Sequence, residues 1–213
     1  MSSPAATGAT LFRLDDATRS LVRLSAVLAA GSDADIRGEL QRAAKATSSE
    51  WIEELLLQTY LFAGFPRALN GMREWRRLSA KPTASREPEA DYARLRELGE
   101  ETCVRVYGSM YDRLRQNIRD LHPLLDEWMI IEGYGKVLSR PGLDLGRREL
   151  CIIAACAATA QDRQLQSHLH GARNVGVPES VVAEAVQSLR DVIPEELLSR
   201  AGRMWDRIRN DVH

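Results

Sequence analysis

Apolar residues recur at helical spacing along almost the whole chain. In the first such segment they form a stripe of Leu21, Leu24, Val27 and Leu28, which Gly31 ends. No segment shows the alternating pattern of a β-strand. The pattern therefore predicts an all-α helical bundle. From spacing and capping residues, helices are predicted to begin at Asp15 or Asp16, Asp33, Ser49, Pro66, Asp91, Pro123, about Arg147, Gln161, Pro178 and Pro194.

Two charged or titratable residues interrupt this apolar pattern between positions 147 and 176. On a helical wheel His168 lies on the same face as Leu165, Ala172 and Gly176, while His170 points to the opposite, solvated side. On the preceding helix, Glu149 shares a face with Ile153, Cys156 and Ala160. In an antiparallel pair that turns near Ala160, the two side chains differ in height by about 5 Å, which Glu149 spans directly or through one water. The spacing therefore predicts a buried acid–imidazole pair, typical of proton transfer.

Composition excludes some classes of protein. The chain has 213 residues and a net charge of -1, which gives no electrostatic reason to expect nucleic acid or an anionic membrane as a partner. It has no apolar run of about 18 residues, and its N-terminus lacks the features of a signal peptide, so we expect a cytoplasmic protein. Cys103, Cys151 and Cys156 do not have the spacing of metal ligands, and no metal site is predicted.

The first part of the chain is similar to the last. A shift of 129 residues lays Arg19 on Arg148 and, without a gap, matches further apolar positions of 21–43 with 150–172. At that shift Ser20 falls on Glu149 and Glu39 on His168, so the acid–imidazole pair is not duplicated. We predict a first repeat at 11–78, a linker with connecting helices at 79–120, and a second repeat at 121–210 that carries the candidate site.

Several motifs together resemble the carboxymuconolactone decarboxylase family, which includes the alkylhydroperoxidase D-like proteins. They are LDDATRSLVRL and AGFPRALN in the first half, and YGKVLSRPGLDLGRREL and QLQSHLHGARNVG in the second. The resemblance covers most of the chain outside about 79–120. It implies an all-helical fold of two fused repeats and a homo-oligomer, with a trimer favoured because it would equal six single-repeat chains.

The resemblance also carries roles to individual residues. His168 matches the family's histidine, and Glu149 matches the acid of the proton relay in the peroxidase-like branch. That branch has a Cys-x-x-Cys pair where this chain has Gln161 and Gln164, so thiol–disulfide chemistry lacks its two thiols there. The decarboxylase branch uses no thiols, although its helix commonly reads RSLV, as at 19–22, rather than RREL.

The leading hypothesis is a cofactor-free enzyme that acts by proton transfer on a small carboxylated lactone or keto acid. His168 would donate the proton, Glu149 would fix its tautomer, and Arg147 or Arg148 would hold the substrate carboxylate. The alternative for the two arginines is structural ion pairing. Further candidates for lining the substrate pocket are Gln161, Gln164, Trp128 and Tyr134.

Two other functions stay open. One is a peroxide or hydroperoxide reductase that uses Cys151 or Cys156 as a single thiol, although a small buried hydrophobe is the simpler interpretation of Cys156. The other is a family member without catalysis, which binds a small molecule or only oligomerises.

Overall fold

The computed structural model describes residues 13–80 and 91–211, and within these ranges all regular structure is helical, without a β-strand. The N-terminal segment, for which no signal peptide is predicted, lies outside these ranges. Residues 81–90 of the predicted linker also lie outside them. The helices are α1 Asp16–Ala30, α2 Asp33–Ala46, α3 Ser49–Ser79, α4 Tyr92–Tyr107, α5 Tyr111–Leu121, α6 Pro123–Trp128, α7 Leu145–Ala158, α8 Asp162–Asn174, α9 Glu179–Gln187 and α10 Glu195–Asn210. The all-α prediction is confirmed. None of these helices is long and apolar enough to cross a membrane.

Helix ends follow local chemistry closely. The side chain of Asp15 accepts a hydrogen bond from the Thr18 amide at the start of α1, and Gly31 ends that helix. The predicted break at Gly64 is a kink inside α3, where the glycine adopts φ 81° and the next helical stretch continues through Pro66. The predicted helix at 178–192 is shorter in the structure and ends at Gln187.

The helix predicted from Pro123 to Leu138 changes character halfway. After α6 the backbone continues as a π-helix, Met129–Leu138, which packs closely against α4. Two glycines make this approach feasible: a Cβ on Gly99 would lie 2.1 Å from the carbonyl oxygen of Ile130, and one on Gly135 would lie 2.0 Å from that of Leu95. Since α4 buries Cys103 and Val106 in the main core, it is part of the bundle and does not merely connect the two predicted repeats.

Helix starts in the two halves keep the spacing seen in the sequence. Helices α1 and α7 begin 129 residues apart, and so do α2 and α8. The residues that cap α1 and α7, Asp15 and Asp144, are equivalent at the same shift. Helices α1 and α7 pack against each other at the centre of the bundle. This agreement supports the predicted duplication, and the proposed division into repeats stays a prediction.

Candidate functional site

The acid and the imidazole meet directly between α7 and α8. The Nδ1 atom of His168 lies 2.8 Å from Oε2 of Glu149, which is hydrogen-bonding distance. Glu149 is fully buried, and His168 is 5 % exposed. Gly171, almost one turn after His168, leaves room for the carboxylate, because a Cβ there would lie 2.6 Å from Oε2 of Glu149. The helical wheel placed both side chains correctly, and it also placed His170 correctly on the solvent side.

Two residues predicted on the inward faces lie elsewhere. Ala160 is exposed with φ 55°, and Gly176 is exposed with φ 85°. Both follow the ends of their helices, at Ala158 and Asn174, so the helical wheel no longer describes them. Their left-handed backbone conformations turn the chain out of each helix.

The geometry of the pair assigns a role to each imidazole nitrogen. An ionised carboxylate only accepts hydrogen bonds, so for an ionised Glu149 the 2.8 Å contact requires a proton on Nδ1 of His168. The other nitrogen, Nε2, is then the atom left to exchange a proton with a ligand. Phe62 of α3 packs edge-on against the imidazole, with ring centroids 5.5 Å apart, and is itself only partly buried. It therefore separates the histidine from solvent on the α3 side.

The second oxygen of Glu149, Oε1, is buried and has no hydrogen-bond partner within the described part of the chain. Tyr134 of the π-helix and Tyr107 of α4 lie near enough to interact electrostatically with this carboxylate. Their rings meet edge-on, with centroids 6.2 Å apart. Burial raises the pKa of Tyr107 to about 12 and that of Tyr134 well above its ordinary value, so both phenols keep their protons at neutral pH.

The cysteines are poor nucleophiles in this environment. All three are free and buried, and desolvation by burial raises the pKa of each thiol to about 12. For Cys156, the negative charge of Glu149 is the second cause of this raised pKa, after burial. A thiol of this kind is almost entirely protonated at neutral pH, whereas a peroxidatic cysteine acts as thiolate. These surroundings argue against the single-thiol reductase.

Arg148 is engaged deep in the protein. It is fully buried, and its Nη2 atom lies 2.7 Å from Oε2 of Glu54 on α3. Its remaining N–H groups donate to the carbonyl oxygens of Leu143 and Arg140 and to the side chain of Gln58. Pairing through four hydrogen bonds favours the structural alternative for this arginine.

Arg147 is also held by the protein. It donates to the carboxylates of Asp144 and Asp15 at 2.6 and 3.0 Å and to the hydroxyl of Thr18 at 2.9 Å. Its guanidinium lies 4.3 Å from the ring centroid of Trp51, a cation–π arrangement. These contacts join the starts of α1 and α7, so the predicted binding of a substrate carboxylate by Arg147 has no support from its surroundings.

The other predicted pocket residues are dispersed. Gln161 precedes α8, Gln164 lies in its first turn, and both are exposed. Trp128 ends α6 with 53 % of its surface exposed, whereas Tyr134 is 4 % exposed and lies near Glu149. Only Tyr134 of these four is thus close to the acid–imidazole pair. Sequence reasoning missed Tyr107 and Cys103, because nothing in the pattern of α4 indicates which helix it packs against.

The positions equivalent to the pair in the first half hold different chemistry. Glu39, which aligns with His168, is 3 % exposed and accepts hydrogen bonds from Arg23 and Arg42 at 3.1 and 2.9 Å. Ser20, which aligns with Glu149, is half-buried. No cluster of three or more His, Cys, Asp or Glu side chains is arranged to hold a metal ion in residues 13–80 and 91–211.

Comparison with known proteins gives one result at the level of the family. No curated protein matches the chain. Residues 126–191 match the sequence model of the carboxymuconolactone decarboxylase family. This segment runs from α6 to the loop after α9 and contains both Glu149 and His168. The match covers 66 of the 213 residues and supports membership of the carboxymuconolactone decarboxylase family.

Proposed function

We propose that this protein is an acid–base enzyme that transfers a proton to carbon in a small carboxylated lactone or keto acid, without a cofactor. The observation that carries the proposal is the 2.8 Å contact between Nδ1 of His168 and Oε2 of Glu149 in a buried setting. Burial strengthens the electrostatic coupling of the pair, and the neutral tyrosines and thiols around it add no competing charge.

The reaction follows from the free nitrogen of His168. When the substrate loses CO2, the electron pair of the broken C–C bond moves into the adjacent carbonyl system and leaves an enolate. The imidazolium Nε2–H then donates its proton to carbon, and solvent restores that proton. Glu149 holds the ring orientation and stabilises its positive charge throughout. Arg147 and Arg148 have no part in this scheme, because both are held by protein partners.

The proposal is tested with His168→Gln and Glu149→Gln, and with His170→Gln as the matched control on the exposed side of the same helix. Unsaturated lactones, β-keto acids and aromatic acids are first screened by thermal shift. A ligand at a hundred times its Kd adds about 2.7 kcal/mol and raises Tm by roughly 5–10 °C for a chain of this size. Release of CO2 is then measured for each ligand that binds.

We expect His168→Gln to lower turnover by about 10²–10⁴-fold, as is typical when a general acid is lost, and His170→Gln to leave it unchanged. Glu149→Gln should lower turnover while ligand binding persists. Wild-type turnover in His168→Gln would refute the proposal. If no acid binds or reacts, the non-catalytic alternative gains support. Melting curves of all variants show whether each one folds.

A further inference from the structure

A groove with a volume of about 960 Å³ opens on the face of the molecule between α5 and α8. We call it the α5–α8 groove. Residues from the C-terminal ends of α4 and α10 complete its lining, and neither His168 nor Glu149 contributes to it. Its volume is near the upper end of the range for small-molecule sites, about 300–1,000 Å³. The groove therefore has room for a ligand larger than a small keto acid.

One wall of the α5–α8 groove is apolar. Helix α5 is amphipathic, yet none of its residues is buried. Leu114 of α5 and Met110 just before it both line the groove, and Met110 is 49 % exposed. Val106 and Tyr107 of α4 extend this apolar surface inward. An amphipathic helix normally buries its apolar stripe, so this wall offers apolar area that a ligand would cover.

Among the cations that line the groove, Arg113 has no partner within the part of the chain that the structure describes. Arg173 donates to the carbonyl oxygen of Ile208, and Arg209 pairs with Asp206 at 2.7 Å. Arg113 also lines the groove, and among the described residues it has neither an ion pair nor a hydrogen bond. Its guanidinium is free to bind a carboxylate in a bidentate manner. Leu114 follows it directly, so charge and apolar surface adjoin.

We propose that the α5–α8 groove binds a monoanionic acid with an elongated apolar body. The carboxylate pairs with Arg113, and the apolar body lies along Met110, Leu114 and Val106. Asp211, which also lines the groove, disfavours a second negative charge on the ligand, whereas Glu179 pairs with Arg173 at 3.6 Å. This site does not depend on the reaction proposed for His168, because the acid–imidazole pair lies outside the groove.

Isothermal titration with octanoate, octanol and octylamine tests the proposal on the full chain. The three probes share an apolar tail and differ only in the head group. The variants are Arg113→Gln, Met110→Glu and, as the matched control, Arg105→Gln, an exposed arginine of α4 outside the groove. We expect octanoate to bind most tightly. Arg113→Gln should weaken octanoate roughly tenfold, the effect of losing one charge-assisted contact, and leave octanol unchanged.

The control and Met110→Glu complete the test. Arg105→Gln should behave as wild type, and Met110→Glu should weaken octanoate more than Arg113→Gln does, since it places a negative charge on the apolar wall. The proposal would be overturned by any of three results: equal affinity for octanoate and octanol, equal effects of the two arginine variants, or no binding at all. Sedimentation of wild type and Met110→Glu compares their oligomeric states and tests whether a second copy of the chain occupies the groove. Loss of an oligomer present in wild type would show that a second copy covers the groove and would also overturn it.

Discussion

Glu54→Gln is expected to destabilise the protein strongly, because it removes the counter-ion of a fully buried arginine. Arg148 has no exposed surface, and within residues 13–80 and 91–211 Glu54 is its one carboxylate partner, at 2.7 Å. With glutamine at position 54, the guanidinium keeps only neutral acceptors such as Gln58 and the carbonyl oxygen of Leu143. Breaking a buried ion pair typically costs about 3–5 kcal/mol. For a chain of this size, that corresponds to a fall in Tm of roughly 6–20 °C.

The chain offers a matched control in its other half. Arg19 aligns with Arg148, and it lies 4.0 Å from Glu184 on α9, with both side chains more than 40 % exposed. Glu184→Gln should therefore change the free energy of unfolding by less than about 0.5 kcal/mol. Urea denaturation of both variants and wild type measures the difference. If both glutamine variants lose the same stability, burial does not decide the strength of these ion pairs and the reasoning is refuted.

The dependence on pH provides a second measurement of the same ion pair. Burial alone would raise the pKa of Glu54, but hydrogen bonds from Arg140 and Arg148 outweigh it and hold the pKa below its ordinary value. Because the pKa of Glu54 is lower in the folded state than in the unfolded state, its ionised form stabilises the fold at pH values above the unfolded-state pKa of about 4.3. This stabilisation is lost as the pH falls through the pKa of the folded state. The stability gap between wild type and Glu54→Gln should therefore shrink in acid. Adding Arg148→Met should restore part of the loss at neutral pH.

Three further outcomes are expected from the cysteines and from Gly171. With pKa values of about 12, only about one thiol in 10⁴ is ionised at pH 8, so a disulfide reagent should react slowly with the native protein. After denaturation, the reagent should label three thiols per chain. The raised pKa values favour the fold below about pH 9, and this contribution is lost as pH rises toward 12. Stability should thus fall by up to about 4 kcal/mol per pH unit in that window, and less steeply when all three cysteines are alanine. Gly171→Ala should lower the free energy of unfolding by about 1–3 kcal/mol, because the added Cβ would displace Glu149. As a control, Gly202→Ala adds a Cβ that meets nothing within 4 Å, so it should be neutral or stabilising by up to about 1 kcal/mol. Chemical denaturation measures both values.

The sequence predicted those features of the site that depend on helical periodicity. Glu149 and His168 were recognisable because each replaces an apolar residue on an otherwise apolar face, and a tight hairpin fixes the distance between them. Helix starts were predictable for a similar local reason, since Asp15 and Asp144 each cap the helix that follows. Nothing in these steps requires knowledge of distant contacts.

Other features depend on tertiary packing and could not be predicted in this way. Glu54 lies 94 residues before Arg148, so only the packing of α3 on α7 reveals the ion pair. Tyr134 was a pocket candidate from the sequence, but its place near Glu149 depends on the packing of a π-helix, whose wider turn changes the face on which each residue falls. Helix α5 was not predicted, and none of its residues is buried. Its stability depends on its neighbours as much as on its own pattern.

Comparison of the two halves explains why the acid–imidazole pair is confined to one of them. At the position of His168, the first half has Glu39, which joins an ion-pair network with Arg23 and Arg42. Arg23 also pairs with Asp191, so this network ties the first half to the loop after α9. An imidazole in place of Glu39 would leave Arg23 without one of its carboxylates. The position that aligns with Glu149 holds Ser20, which cannot act as a carboxylate partner. A second acid–imidazole pair therefore requires several concerted changes, whereas the second half needs only Glu149, His168 and the space provided by Gly171.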